Sequence, residues 1–226
     1  MVKKGFTLAE TLITLGIIGI VAALTMPALI AKYQKKVLAT QAQKAYSLLN
    51  GIFMKIAVDE GVENVCSSLV DNYSDDDNYW TKTFSKYIEI TGETICQETS
   101  DSKCAIKMLN APYIDNSSYQ FFYLKNGMKM NLYLDKDANW WGRLIIDVNG
   151  DKAPNTYGRD VFYWHLSCTN GGYKIYPRGG IVYAGNDPNS YWKTTSKWDL
   201  KCSTKETSLG ATCTARLMEN NWVMDY

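Results

Sequence analysis

The chain has 226 residues, with 24 basic and 23 acidic side chains and one histidine. Near-neutrality removes the global field that would draw in nucleic acid or an acidic partner, and a single histidine removes the common Cys/His zinc patterns. The length suits one membrane or spine segment plus one further domain. The 16 Tyr and 7 Trp suit either the amphipathic surface rings of an extracytoplasmic domain or an aromatic core.

The first element is apolar. No side chain from Thr11 to Ala31 is charged, and as a helix this stretch would run about 31 Å, roughly one bilayer core. A secretory signal peptide would have a shorter apolar run followed by a small-residue cleavage site. Here the run is long, carries Glu10 near its start, and continues without a stop signal into KYQKKVLATQAQKAYSLLNGIFMKIAVDEG. In that continuation Val37, Leu38, Ala42, Ala45, Leu48, Leu49, Ile52, Phe53 and Ile56 recur at three- and four-residue steps, which is one face of an amphipathic helix. A single helix from Phe6 to about Val58 is therefore expected, apolar all round at first and one-sided afterwards. Pro27 should bend it rather than end it, because the pattern resumes on both sides. A lone carboxylate in hydrocarbon is expensive, so Glu10 marks a function with a partner. The alternative is that it snorkels to the headgroups.

After Gly61 the helical pattern stops. Residues 62–118 read as loops and short elements, with DNYSDDDNYW a solvated, turn-rich loop rather than a set of calcium ligands. YQFFYL and MKMNLYL flank Lys125-Asn126-Gly127, and Asn-Gly between two strand-like runs signals a hairpin. WWGRLIIDV and DVFYWHL add two strands, GGYKIYPRGG reads as a loop between strands, and CTARLMENNWVMDY reads as a final strand or short helix. A long helix followed by hairpin-joined strands predicts an α+β fold, with an antiparallel sheet laid across the amphipathic half of the helix.

Residues 147–160, DVNGDKAPNTYGRD, join the last two of those strands. Asp147, Asn149 and Asp151 alternate as in the first half of a calcium loop. The EF-hand pattern fails, since Lys152 and Gly158 hold the positions that need Gly and Glu. The alternative is an ordered loop in which Asn149-Gly150 turns the chain and Asp side chains cap backbone N–H groups. The six cysteines have no CxxC pair, so disulfides in an oxidising compartment are the better reading. Proximity in sequence favours Cys96–Cys104 and Cys202–Cys213, leaving Cys66–Cys168, among fifteen arithmetical pairings. No G-x-S-x-G, H-E-x-x-H or P-loop occurs. His165 sits in an aromatic strand run as a packed side chain rather than a general base. No enzyme and no cofactor are expected, calcium at the 147–160 loop excepted.

The stretch KKGFTLAETLITLGIIGIVAALTMPALI resembles the class III signal and N-terminal helix of type IV pilins and type II secretion pseudopilins. A short basic leader ends in Gly5, Phe6 follows it, Glu10 is the fifth residue of the processed chain, and Pro27 falls where many members carry a helix-distorting proline. The resemblance covers about thirty residues. It implies cleavage between Gly5 and Phe6 by a prepilin peptidase and N-methylation of Phe6. It also implies pairing of Glu10 with the freed amine of a neighbouring subunit. Four regions follow: residues 1–5 as leader, 6–31 as membrane and assembly helix, 32–60 as amphipathic helix, and 61–226 as a globular β-rich domain. The implied role is that of a structural subunit, a polymer of like or mixed pilin-type chains. Before assembly it would be held in the inner membrane by one span, with the globular domain outside the cytoplasm, and afterwards it would lie in a periplasmic or surface filament. A minor or tip pilin that binds DNA, a surface or a secreted protein is the alternative, although no specific nucleic-acid contact is expected. Some major pseudopilins bind calcium in a loop of the β-region, which bears on Asp147, Asn149 and Asp151.

Overall fold

The computed structural model describes residues 5, 7–62, 65, 83–96, 106, 107, 109, 114, 115, 119–135, 141–169, 172–177, 182, 183, 191, 192, 202, 210 and 212–226. Phe6, Cys66, Cys104 and all of DNYSDDDNYW lie outside these residues. The chain forms two compact units, Met1–Val37 and Leu38–Tyr226. Helix α1, Leu8–Asp59, belongs to both and contains Pro27 without ending there. Proline removes one helical N–H, so the carbonyl of Ala23 loses its donor; neighbouring turns carry the helix past that gap.

In the first unit the apolar side chains face outward. Leu12, Ile13, Leu15, Ile18, Ile20, Leu24 and Leu29 are all exposed, and α1 is long and apolar enough to cross a membrane. The polar side chains of this stretch are satisfied within the helix. Thr11 donates its hydroxyl to the carbonyl of Leu8 at 2.8 Å, Thr14 to that of Thr11 at 2.9 Å, and Thr25 to that of Val21 at 2.9 Å. Such back-bonding lets hydroxyls enter hydrocarbon without an unpaired donor.

The second unit is built on one sheet. Its strands among the described residues are β1 (Ile90–Cys96), β2 (Ile106–Lys107), β3 (Ile114–Asp115), β4 (Tyr119–Leu124), β5 (Lys129–Asp135), β6 (Trp141–Asp147), β7 (Val161–Thr169), β8 (Gly172–Pro177), β9 (Val182–Tyr183) and β10 (Tyr191–Trp192). Six of them form an antiparallel sheet in the order β1-β4-β5-β6-β7-β8, and β2–β3 and β9–β10 form two small pairs. A short helix, α2 (Cys213–Glu219), follows. The architecture is α+β, a long N-terminal helix with an antiparallel sheet.

Two strands of the six-stranded sheet differ from the sequence expectation. β1 is a full strand within the stretch read as loops and short elements, and β8 is the stretch GYKIYP read as a loop between strands. They are the two ends of the six-stranded order. A terminal strand is tied to a neighbour on one side only, so it tolerates Gly, Lys and Pro and shows a weaker alternation.

Strand period sorts the side chains into two layers. On one face Phe122, Met130, Leu132, Leu144, Ile146, Phe162, Trp164 and Leu166 pack with Ala39, Ala42, Ala45, Leu49, Ile52, Phe53 and Ile56 of α1. Small alanines at the start of this helical stripe allow close approach, and larger residues fill the space farther along. Tyr46 stacks on Trp164 with centroids 6.4 Å apart, and Phe53 meets Phe84 edge-on at 6.0 Å. The Tyr173 hydroxyl of β8 donates to the carbonyl of Asn50 at 3.3 Å. On the other face Phe121, Ile145, Val161 and Tyr163 form a smaller cluster with Ile106 and Tyr157.

The β4–β5 hairpin turns as its Asn-Gly pair requires. Gly127 has φ 84° and donates to Leu124 O at 2.8 Å, while Leu124 N donates to Met128 O at 2.9 Å. Cys202 and Cys213 are joined by a disulfide with Cα atoms 4.8 Å apart, which fastens the start of α2. Cys96 ends β1 and Cys168 lies in β7 opposite Tyr173; their side chains are outside the described residues.

Candidate functional site

The N-terminal end of α1 carries the first set of sequence-identified residues. Gly5 is exposed, and α1 opens at Leu8 directly after Thr7. Thr7 and Glu10 form a reciprocal cap. Glu10 Oε2 accepts the Thr7 backbone N–H at 2.8 Å and the Thr7 hydroxyl at 2.9 Å, while the Glu10 backbone N–H donates to Thr7 Oγ1 at 3.2 Å. This is a capping box: it satisfies donors that the first helical turn leaves orphaned, and it sets a negative charge at the positive end of the helix dipole. Thr7 was not singled out from the sequence, although the T-x-x-E spacing of Thr7 and Glu10 was the signal for it. Glu10 thus has a local partner within its own chain and sits in an exposed apolar surface that runs from Leu8 to Ile30. Pro27 lies in that same surface, within the helix.

The second set lies at the hairpin end of the sheet. Asp147 closes β6 and stands directly opposite Lys129, the first residue of β5. Both point away from the α1 face, because Met130 and Ile146 beside them point toward it. Lys129 Nζ is 3.1 Å from Asp151 Oδ1 and 3.9 Å from Asp147 Oδ2, and it lies 5.0 Å from the centre of the Phe121 ring. Asp151 also accepts the Tyr123 hydroxyl at 3.0 Å. Asp147 Oδ1 accepts the Asn149 backbone N–H at 3.2 Å, a turn that Asx side chains favour. Asp160, not singled out from the sequence, organises the rest of the loop. Its carboxylate accepts Asn155 N–H at 2.9 Å, Thr156 N–H at 2.6 Å and the side-chain amide of Asn149.

Burial dominates the electrostatics here. It pushes the Asp147 carboxyl up to about 8, helped by the charge of Asp160 and opposed by Lys129 and the Asn149 N–H. Burial also raises Asp160, opposed by the hydrogen bonds from Thr156 and Asn155. Asn149 Oδ1 and Asn155 Oδ1 are buried without a hydrogen-bond partner among the described residues. Among the described residues no three His, Cys, Asp or Glu side chains gather closely enough to hold a metal ion. His165 lies in β7, partly buried, with its ring 5.0 Å from that of Tyr163.

These features place the chain in a class. Residues 1–26 match the model of the prokaryotic N-terminal methylation motif, the class III signal of type IV pilins and pseudopilins. With the motif, the long apolar helix and the antiparallel sheet form a pilin-like architecture that fits anchoring in the inner membrane. Residues 28–226 match a second model, described as a family of unknown function (DUF6613), and the chain belongs to that family. No curated protein and no solved structure matches the chain.

Proposed function

We propose that the chain is a structural subunit of a type II secretion pseudopilus or a type IV pilus, cut between Gly5 and Phe6 by a prepilin peptidase and polymerised through α1. The observation that carries this reading is the exposed apolar surface from Leu8 to Ile30, whose single carboxylate, Glu10, belongs to a matched methylation motif. In the membrane, lipid covers that surface, and Lys3 and Lys4 hold the leader on the cytoplasmic side. In a filament, the same surface is covered by the helices of neighbouring subunits. Glu10 Oε2 is engaged by Thr7, so the carboxylate meets the amine of a neighbouring Phe6 as an already oriented group. Such a pair in an apolar interior sets the stagger of subunits more than it adds stability. The six-stranded unit then forms the outward-facing body of each subunit, outside the cytoplasm.

The test is N-terminal sequencing of the chain recovered from filaments sheared off its native host, or from crosslinked oligomers if the filament is periplasmic. A chain that begins with N-methylated Phe6 is expected. Recovery only as a monomer, or as a polymer still starting at Met1, would reject the reading.

A further inference from the structure

The buried charge cluster at the hairpin end of the sheet lies outside the matched methylation motif of residues 1–26. We propose that the ammonium of Lys129 is the resident cation of the 147–160 loop and stands where a divalent metal would have to bind, so that the loop's fold does not depend on calcium.

Register puts Lys129 there. Lys129 pairs with Asp147, and on the same ladder Met130 pairs with Ile146 and Leu132 with Leu144. A slip by one residue would carry Met130 and Leu132 to the wrong face, so the core fixes the lysine against the aspartate. The side chains of Lys129 and Asp147 are each only 3% exposed. A buried ammonium must be paired on the spot, and Asp151 at 3.1 Å, Asp147 at 3.9 Å and the Phe121 ring supply that pairing.

The donor set fits a lysine better than a metal. Calcium takes six to eight oxygens at about 2.3–2.6 Å. Here both oxygens of Asp160 are turned to the N–H groups of Asn155 and Thr156, Asp147 Oδ1 to that of Asn149, and Asp151 to Tyr123 as well as to Lys129. The alternation of Asp147, Asn149 and Asp151 is therefore spent on turning the chain and on holding one ammonium. A dication added at Asp147 and Asp151 would have to displace or repel Lys129. The buried oxygens of Asn149 and Asn155 are the one observation a metal would explain better, and the experiment responds to that directly.

Full-length chain in detergent micelles is melted at pH 9, where Asp147 is ionised, with tryptophan fluorescence as the readout, in excess calcium chloride or in EGTA. The two midpoints should coincide. Lys129→Met, which keeps most of the volume, should lower the midpoint by at least about 5 °C at this pH, because it strands the buried carboxylate of Asp147. The double variant Lys129→Met/Asp147→Asn should recover much of that loss, which a space-filling role for the lysine would not produce. The proposal is overturned if EGTA lowers the wild-type midpoint and calcium restores it, if Lys129→Met melts with the wild type, or if the double variant is no better than the single one. Should Lys129→Met not fold, the wild-type comparison between calcium and EGTA decides alone.

Discussion

Lys129 and Asp147 face each other across the β5–β6 ladder, nearly sealed from solvent, with Nζ 3.9 Å from Oδ2. Their separation is too long for a tight ion pair, and Asp160 adds a second negative charge to the same buried region. Asp147 is accordingly held protonated far above the ordinary carboxyl range, up to about 8. An acid raised in the folded state makes the folded chain bind a proton that the unfolded chain releases. Stability from this group is thus fully present below the unfolded value of 3.8 and is lost as pH rises toward about 8. The limiting slope is about 1.4 kcal/mol per pH unit. Asp147→Asn should remove that slope. Wild type should therefore exceed the variant in melting temperature by more at pH 5 than at pH 8, and a constant difference across that range would refute the assignment.

Processing and assembly should fail separately. If the chain is processed as proposed, Gly5→Leu should block leader removal, because a prepilin peptidase needs a small residue before the cut, and the precursor should persist on an immunoblot. Glu10→Ala should still be inserted and cleaved, since the change makes the span more apolar. It removes the Thr7 cap and, on the proposed assembly, the partner for a neighbouring amine. Loss of a cap costs about 1 kcal/mol, whereas stranding one member of a buried pair costs about 3–5 kcal/mol. Crosslinked or sheared polymer should disappear for Glu10→Ala. Wild-type assembly of that variant would leave the carboxylate as a helix cap alone.

The Cys202–Cys213 bond closes a loop of sequence separation 11. On the chain-entropy account such a closure stabilises by about 2–3 kcal/mol. Replacing both cysteines with alanine should lower the melting temperature by about 4–12 °C, measured without reductant. Dithiothreitol should reproduce at least that loss in the wild type.

Gly158 leaves no room for a side chain. Its φ is 78°, and a Cβ would lie 2.7 Å from Cys213 Cβ and 2.8 Å from the carbonyl oxygen of Gly210. Gly158→Ala therefore combines left-handed backbone strain with a clash against the disulfide and should cost more than about 2 kcal/mol. A denaturant midpoint equal to that of the wild type would mean that this turn relaxes freely.

The helix–sheet layer should respond by depth and not by hydrophobicity. Phe53 is fully buried between Phe84 and Tyr173, whereas its neighbour Met54 is 62% exposed. Phe53→Ala should destabilise by about 3–5 kcal/mol and Met54→Ala by no more than about 0.5 kcal/mol, both read from chemical unfolding.

The sequence by itself determined what depends on near neighbours along the chain. The apolar run, the i, i+3, i+4 stripe from Ala42 to Ile56, the Asn126-Gly127 turn and the Gly5–Glu10 signal are all written in residues a few positions apart, where side-chain periodicity and backbone preference act directly. Only the tertiary structure decided what depends on register. Lys129 and Asp147 are 18 residues apart and meet because the ladder aligns them, and nothing in the spacing of DVNGD announces a lysine on the next strand. Asp160 acts through backbone N–H groups whose direction is fixed by the folded loop. β1 and β8 became strands because Tyr119–Leu124 and Val161–Thr169 offered them an edge. A strand held on one side takes its order from its neighbour's hydrogen bonds, so its own residues need carry little of the pattern.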